Sequence, residues 1–128
     1  METLKKGRIE MNEPEVKKLT CKWLERQNYK VQKEIGVPNS NGEVILDFYG
    51  YRETNGVPEI VWCECKGDVI LSKLLEGFIR LEFGVHYGGG TGILAVPSRA
   101  KNNLEPFHNF LKQAENTIRI LNVETECV

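Results

Sequence analysis

The sequence predicts one α/β domain in which helices flank a central mixed sheet, and three observations carry that expectation. Stretches with apolar residues at helical spacing alternate with short runs of branched and aromatic residues. An Asn-Gly dipeptide, Asn55-Gly56, joins two of those runs, and this is the strongest short-range signal for a β-hairpin. The chain has 128 residues, enough for one hydrophobic core and too few for two, so the domain is expected to span 1–128.

The elements follow in order. From Pro14 to Asn28 the residues Val16, Leu19, Trp23 and Leu24 recur at helical spacing, with Asn12 or Glu13 as the start signal. Tyr29 to Val37 alternates like a strand until Pro38 and the cluster Asn39-Ser40-Asn41-Gly42, where a loop is expected. Glu43–Tyr51 and Glu59–Lys66 form the hairpin around Asn55-Gly56. Leu71, Leu74, Leu75, Phe78 and Ile79 mark a second helix that continues through Leu81 and Phe83 towards His86. Gly88-Gly89-Gly90 ends it and precedes a strand, Thr91–Val96, so these glycines do not form a phosphate loop, which leads from a strand into a helix. Leu104, Phe107, Phe110, Leu111 and Ala114 define a third helix behind Asn102 or Asn103, and Thr117–Val123 is the last strand. No internal repeat or low-complexity segment interrupts this α-β-β-β-α-β-α-β order.

Composition narrows the function classes. With 41% hydrophobic and 27% charged residues, the chain is neither a coiled coil nor disordered. It has no run of about 20 apolar residues and no signal-peptide core at its start. A cytoplasmic protein without membrane contact is the expectation. Cys21, Cys63, Cys65 and Cys127 lack paired spacing, and neither His86 nor His108 has a ligand-spaced partner, so buried thiols are expected and zinc is not. The net charge is −1, which excludes a generally basic nucleic-acid binder. Any binding face must be local, and Lys5, Lys6, Arg8, Lys17, Lys18, Lys22, Arg26, Lys30 and Lys33 do concentrate early.

The chemistry-bearing residues stand out within the hairpin. By the period of two, Val44, Leu46 and Phe48 would face one way and Ile45, Asp47 and Tyr49 the other. On the next strand Val61, Cys63 and Cys65 share one face, and Ile60, Trp62, Glu64 and Lys66 share the opposite one. Both faces are largely apolar, Asp47 and Glu64 are the misfits within them, and a carboxylate is seldom buried unless it is paired or holds a metal. With Asn55 and Gly56 as the central turn residues, pairing sets Asp47 opposite Glu64. Two carboxylates about 5 Å apart repel by roughly 3 kcal/mol at an effective dielectric near 20. A cation is expected between them: Lys66 in part, and a hard divalent ion with oxygen ligands more fully.

Ile45-Leu46-Asp47 followed by Trp62-Cys63-Glu64-Cys65-Lys66-Gly67-Asp68 resembles the signature of the PD-(D/E)XK nuclease superfamily, an acid on one strand and Glu-x-Lys on the next. The resemblance covers nearly the whole chain, because the restriction-endonuclease-like core of that superfamily is α-β-β-β-α-β, as in Holliday-junction resolvases and Mrr-like restriction enzymes. Leu46 stands where the signature's name has proline, and Arg80-Leu81 stands where many relatives carry glutamine and leucine.

The resemblance implies a metal-dependent endonuclease that hydrolyses phosphodiester bonds of DNA, with Asp47, Glu64 and Lys66 catalytic. It implies Mg²⁺, with Mn²⁺ as a substitute, held by Asp47, Glu64 and the backbone carbonyl of Cys65, and no organic cofactor. An acid on the first helix often joins such a site; Glu15 is the first choice and Glu13 the second. Lys17, Lys18, Lys73 and Arg80 are the expected nucleic-acid contacts. Many relatives act as homodimers, for which Leu81, Phe83 and Val85 are the expected interface. Beside these roles stand plainer ones: Glu15 as a helix-start acid that complements the dipole, and Lys73 and Arg80 as surface charges. The alternative function is a catalytically inactive module of the same fold that binds nucleic acid or a protein partner.

Overall fold

The computed structural model describes residues 11–67, 70–113 and 117–128. Lys5, Lys6, Arg8, Asp68 and Ala114 therefore lie outside the described residues, as do the side chains of His108, Phe110 and Leu111. Helix α1 (Glu13–Arg26) starts on Asn12, whose side chain accepts the Glu15 N–H while the Glu15 carboxylate accepts the Asn12 N–H. This reciprocal capping box, with Pro14 in the first turn, fixes the helix start. Val16, Thr20 and Leu24 turn inward. Asn28, with φ of 70°, reverses the chain into β1 (Lys30–Asn39).

Here the structure departs from expectation. Strand β1 runs through Pro38, and the anticipated loop is a two-residue turn that pairs Asn39 with Gly42 at the start of β2 (Gly42–Thr54). Because β1 is an edge strand, the missing N–H of Pro38 disrupts no interior ladder. Asn39 Oδ1 accepts the Asn41 N–H at 2.7 Å, which shapes the turn, and Gly42 adopts a φ of 125°.

Strand β2 then pairs antiparallel with β3 (Val57–Cys65), and Thr54 sits opposite Val57 around Asn55-Gly56. Helix α2 (Leu71–Gly88) carries the chain to β4 (Thr91–Val96), parallel to β3. Helix α3 (Ser98–Gln113) leads on to β5 (Ile118–Asn122), parallel to β4. The result is a five-stranded mixed sheet in the order β1-β2-β3-β4-β5. Both parallel crossovers step the same way along it, so a constant handedness puts α2 and α3 on one face. Helix α1 covers the other.

Helix α3 begins several residues before the expected Asn102. The Pro97 carbonyl accepts the N–H groups of Ala100 and Lys101, and the Glu124 carboxylate takes the Ser98 N–H at 2.7 Å. Ala100 alone is apolar and buried in that first stretch, so no periodicity marks it. Among the described residues, no helix is long and apolar enough to cross a membrane.

Two cores result. Leu46, Trp62, Leu74, Phe78, Leu81 and Leu94 pack beneath α2, and Val16, Leu24, Phe48, Val61, Cys63 and Cys65 pack beneath α1. The second set corrects the strict alternation expected of β2, because Leu46 and Phe48 enter opposite cores. Strand β1 changes faces at the same level: Val31 packs with the α1 core, Ile35 and Val37 with the α2 core. Between them Glu34 has a φ of 51°, a left-handed conformation that breaks a strand's alternation. Pairing holds at Lys33 with Phe48 and at Ile35 with Leu46, so the ribbon turns over at Glu34 and Asp47.

Leu81 is fully buried and Val85 packs against the same core, which corrects the interface expected there; Phe83 is exposed beside Ile79 and Tyr87. Gly84, in the middle of α2, lets Trp62 and Leu46 approach. A Cβ there would come within 2.8 Å of the Trp62 ring and 2.9 Å of Leu46. Helix propensity favours alanine over glycine by about 1 kcal/mol, but overpacking a core typically costs about 1 to 3 kcal/mol, and an indole ring cannot yield as a flexible chain end can. Gly84→Ala is therefore expected to lower stability in urea denaturation, whereas a surface glycine in a helix would gain from the same change.

Candidate functional site

The β2–β3 ladder ends at Phe48 and Cys63. One residue further on, where the register carries Asp47 to the level of Glu64, the strands part and side chains replace the ladder. Glu64 Oε2 accepts the Asp47 N–H at 3.2 Å, and Asp47 Oδ2 accepts the Cys65 N–H at 2.8 Å. Each carboxylate thus reaches into the same fork and bonds the opposite strand's backbone. The Cys65 carbonyl points the same way, because a strand residue's N–H and C=O face one neighbour, and the next N–H, that of Lys66, turns to Ala95 of β4 at 3.0 Å.

Positive groups surround the fork on both sides. From α1, Lys17 Nζ lies 3.4 Å from Asp47 Oδ1 and 3.7 Å from Glu13 Oε2. Burial works to lower the Lys17 pKa, but the facing Asp47 and Glu13 carboxylates outweigh it and hold the ammonium above the ordinary lysine value. From the other side, Lys66 Nζ sits 3.7 Å from Glu76 of α2, with its side chain only 12% exposed. Arg80 lies 3.8 Å from Glu76 and donates to the Ile45 carbonyl at 3.1 Å. Gly77, beside the Lys66 stem on the face of α2, makes room for Leu94, whose Cδ1 would lie 2.7 Å from a Cβ there. Gly67 lets the chain after Lys66 lie against the start of α1, where a Cβ would meet the Glu13 backbone nitrogen at 2.6 Å.

Glu64 is 3% exposed. Burial first, and then the Asp47 charge, push its pKa up to about 8 against the opposing pull of Arg80 and Lys66. Both causes favour the protonated carboxyl in the metal-free protein. Cys63 and Cys65, packed on the α1 side, have thiol pKa values raised mainly by burial and behave as core residues. No disulfide involves them.

The structure thus brings Asp47, Glu64, the Cys65 carbonyl and Lys66 together, with Lys17 and Arg80 at the margins. It leaves Glu15 at the helix cap, where its carboxylate is engaged by Asn12; Glu13 is the first-helix acid that faces the fork, through Lys17. The Asn12-Glu13-Pro14-Glu15 pattern is itself a capping-box signature, so this role was readable from sequence. Lys18 lines a groove next to Asp47 together with Lys22 and Lys33. Lys73 lies in the first turn of α2, in a shallow hollow beside Leu75, Glu76 and Ile79. Sequence reading missed Lys17 as the partner of Asp47 and Glu76 as the partner of Lys66. The former was hinted at only by the helical spacing of Glu13 and Lys17. Among the described residues, no group of three or more His, Cys, Asp or Glu side chains is gathered to hold a metal. No protein-family model, curated protein or solved structure matches the chain.

The Glu64 proton has a measurable consequence. A carboxyl whose pKa is raised on folding favours the folded state below its unfolded value, near 4.5, and that advantage disappears as pH rises through about 8. At about 1.36 kcal/mol per unit, the loss is on the order of 4 to 5 kcal/mol. Glu64→Gln is expected to flatten the pH dependence of stability without metal, matching the wild type near pH 4 and exceeding it at pH 9 in denaturant titrations.

Proposed function

We propose that this chain is a Mg²⁺-dependent nuclease of the PD-(D/E)XK type, with the restriction-endonuclease-like topology, that hydrolyses phosphodiester bonds of DNA. The observation that best supports the reading is the fork, where Asp47, a buried Glu64 and the Lys66 side chain meet at the point where a central ladder opens. Asp47 has Lys17 as its cationic partner, but among the described residues no ion pair ties the buried Glu64, and the nearby Lys66 and Arg80 both lean on Glu76.

The donor set fits a hard divalent ion. The carboxylates of Asp47 and Glu64 and the carbonyl of Cys65 are all oxygens, and three protein donors leave the remaining positions to water and a phosphate oxygen, as suits Mg²⁺ or Mn²⁺. Bound there, the ion would polarise the phosphoryl group and lower the pKa of a water. To hold such an ion Glu64 would have to give up its proton, and Asp47 would have to exchange the Lys17 ammonium for it. Lys66 orients the attacking water and adds positive charge where the phosphoryl oxygens become more negative. Glu76 holds Lys66 in place before substrate arrives.

Because Glu64 must lose its proton, Mg²⁺ affinity is expected to rise about tenfold per pH unit below pH 8, with one proton released per ion. Calorimetry in buffers of differing ionisation heat reads both. Asp47→Asn and Glu64→Gln are expected to abolish cleavage of DNA by the Mg²⁺-loaded protein, and Lys66→Met to slow cleavage far more than it weakens Mg²⁺ binding. Asp47→Ala also strands the Cys65 N–H, so it should cost about 1 to 3 kcal/mol of stability. Unchanged cleavage in either acid variant would refute the site.

One observation favours the inactive binding module instead. Lys17 already neutralises Asp47 in the metal-free fork, as an ammonium does when it replaces a lost ion. DNA binding by the wild type without cleavage in either Mg²⁺ or Mn²⁺ would select that reading.

A further inference from the structure

We infer that the groove between α1 and β1 is the track along which the backbone of the DNA strand runs to the fork. This inference rests on the nuclease reading and names the face from which the substrate is presented. The groove has a volume of about 440 Å³, and Asp47 and Phe48 form part of its wall, so it opens directly on the site. Lys17, Lys18 and Lys22 line it from α1 and Lys33 lines it from β1.

The state of those lysines separates this groove from the rest of the surface. Lys17 is engaged by Asp47 and Glu13. Among the described residues, no carboxylate pairs with Lys18, Lys22 or Lys33, and all three are exposed. Lys18 and Lys22 stand one helical turn apart and so present charge along one line of α1. Besides Asp47, two acids share the groove: Glu25 approaches the Cys21 thiol at 3.8 Å, and Glu34 occupies the left-handed position where the ribbon turns over. In a chain whose net charge is −1, the four lysines of this groove outnumber its three acids, Glu25, Glu34 and Asp47, and such a local excess attracts polyanions.

The alternatives are weaker on the same grounds. On the α2 side of the fork, Lys66 and Arg80 share the single carboxylate of Glu76, and the Lys66 side chain is largely buried. A hollow of about 510 Å³ between the end of α1 and the starts of β3 and β4 has its Arg52 held by Glu59 and stacked on Tyr29. Of these three surfaces among the described residues, the α1–β1 groove is the one that combines unpaired lysines with direct access to Asp47. The backbone recognised is the repeating phosphate of DNA, without base readout, since lysine acts on phosphate as a point charge.

The test uses the full chain without metal and a labelled DNA duplex, followed by fluorescence anisotropy over a range of salt concentrations. Each of Lys18→Ala, Lys22→Ala and Lys33→Ala is expected to reduce the magnitude of the log-affinity against log-salt slope by about 0.9. Lys101→Ala, on α3 across the sheet, is expected to leave it unchanged, and thermal melts should show all four variants folded. Slopes equal to the wild type in the three groove variants would overturn the inference. So would equal affinity for a polyglutamate chain with the same dependence on the groove lysines. A cleavage assay in Mg²⁺ keeps the two readings apart. Groove-dependent binding without cleavage supports the track and refutes the nuclease; cleavage indifferent to the groove lysines refutes the track and leaves the nuclease standing.

Discussion

The parting of β2 from β3 is the constraint around which the rest of this protein is arranged. A central sheet normally satisfies its own backbone donors, and opening a ladder strands them. Here the stranded N–H groups of Asp47 and Cys65 are taken up by the carboxylates of Glu64 and Asp47. That solution brings two acids into a largely buried space, with repulsion between them. Lys17 from one helix, Lys66 and Arg80 from the other side, and the proton on Glu64 are the responses to that charge. Each is reversible in a way that a packed apolar contact is not. An opening that exchanges one neutralising arrangement for another can serve as a site, whereas one sealed by a fixed ion pair would be only a joint.

Much of this was legible in the sequence because it is local. Helical spacing found the three helices, and Asn55-Gly56 set the register that brings Asp47 to the level of Glu64. Alternation along β3 correctly divided Val61, Cys63 and Cys65 from Ile60 and Trp62. The α/β order and the mixed sheet followed from these signals. What stayed hidden depends on conformation or distance rather than residue type. Nothing in a glutamate at position 34 announces a φ of 51°, so the change of faces in β1 and β2 could not be read. Pro38 looked like a strand breaker because its edge position was unknown.

The site was legible to a similar degree. Asp47, Glu64 and Lys66 announced themselves as charges in apolar strands. The pairings that define their state did not, because Lys17 reaches Asp47 across 30 residues of chain, and Glu76 meets Lys66 only once α2 has packed. Glu15 differs: its place at a helix start was legible beside the metal role, because a cap is written in the local pattern.

Gly67 gives the fork a property that none of its charged residues supplies. The chain leaving β3 lies so close to the start of α1 that a Cβ would fall 2.6 Å from a backbone nitrogen and 2.8 Å from the Met11 carbonyl oxygen. The gap between strand end and helix start is thus set by main chain against main chain, which cannot be shaved or padded by choosing another rotamer. Such a contact acts as a mechanical stop. It defines how near α1 can come, and hence where Lys17 stands relative to Asp47, independently of the chemistry in between. Charges in the fork can be rearranged by an ion or a proton while the frame that aims them keeps its dimensions.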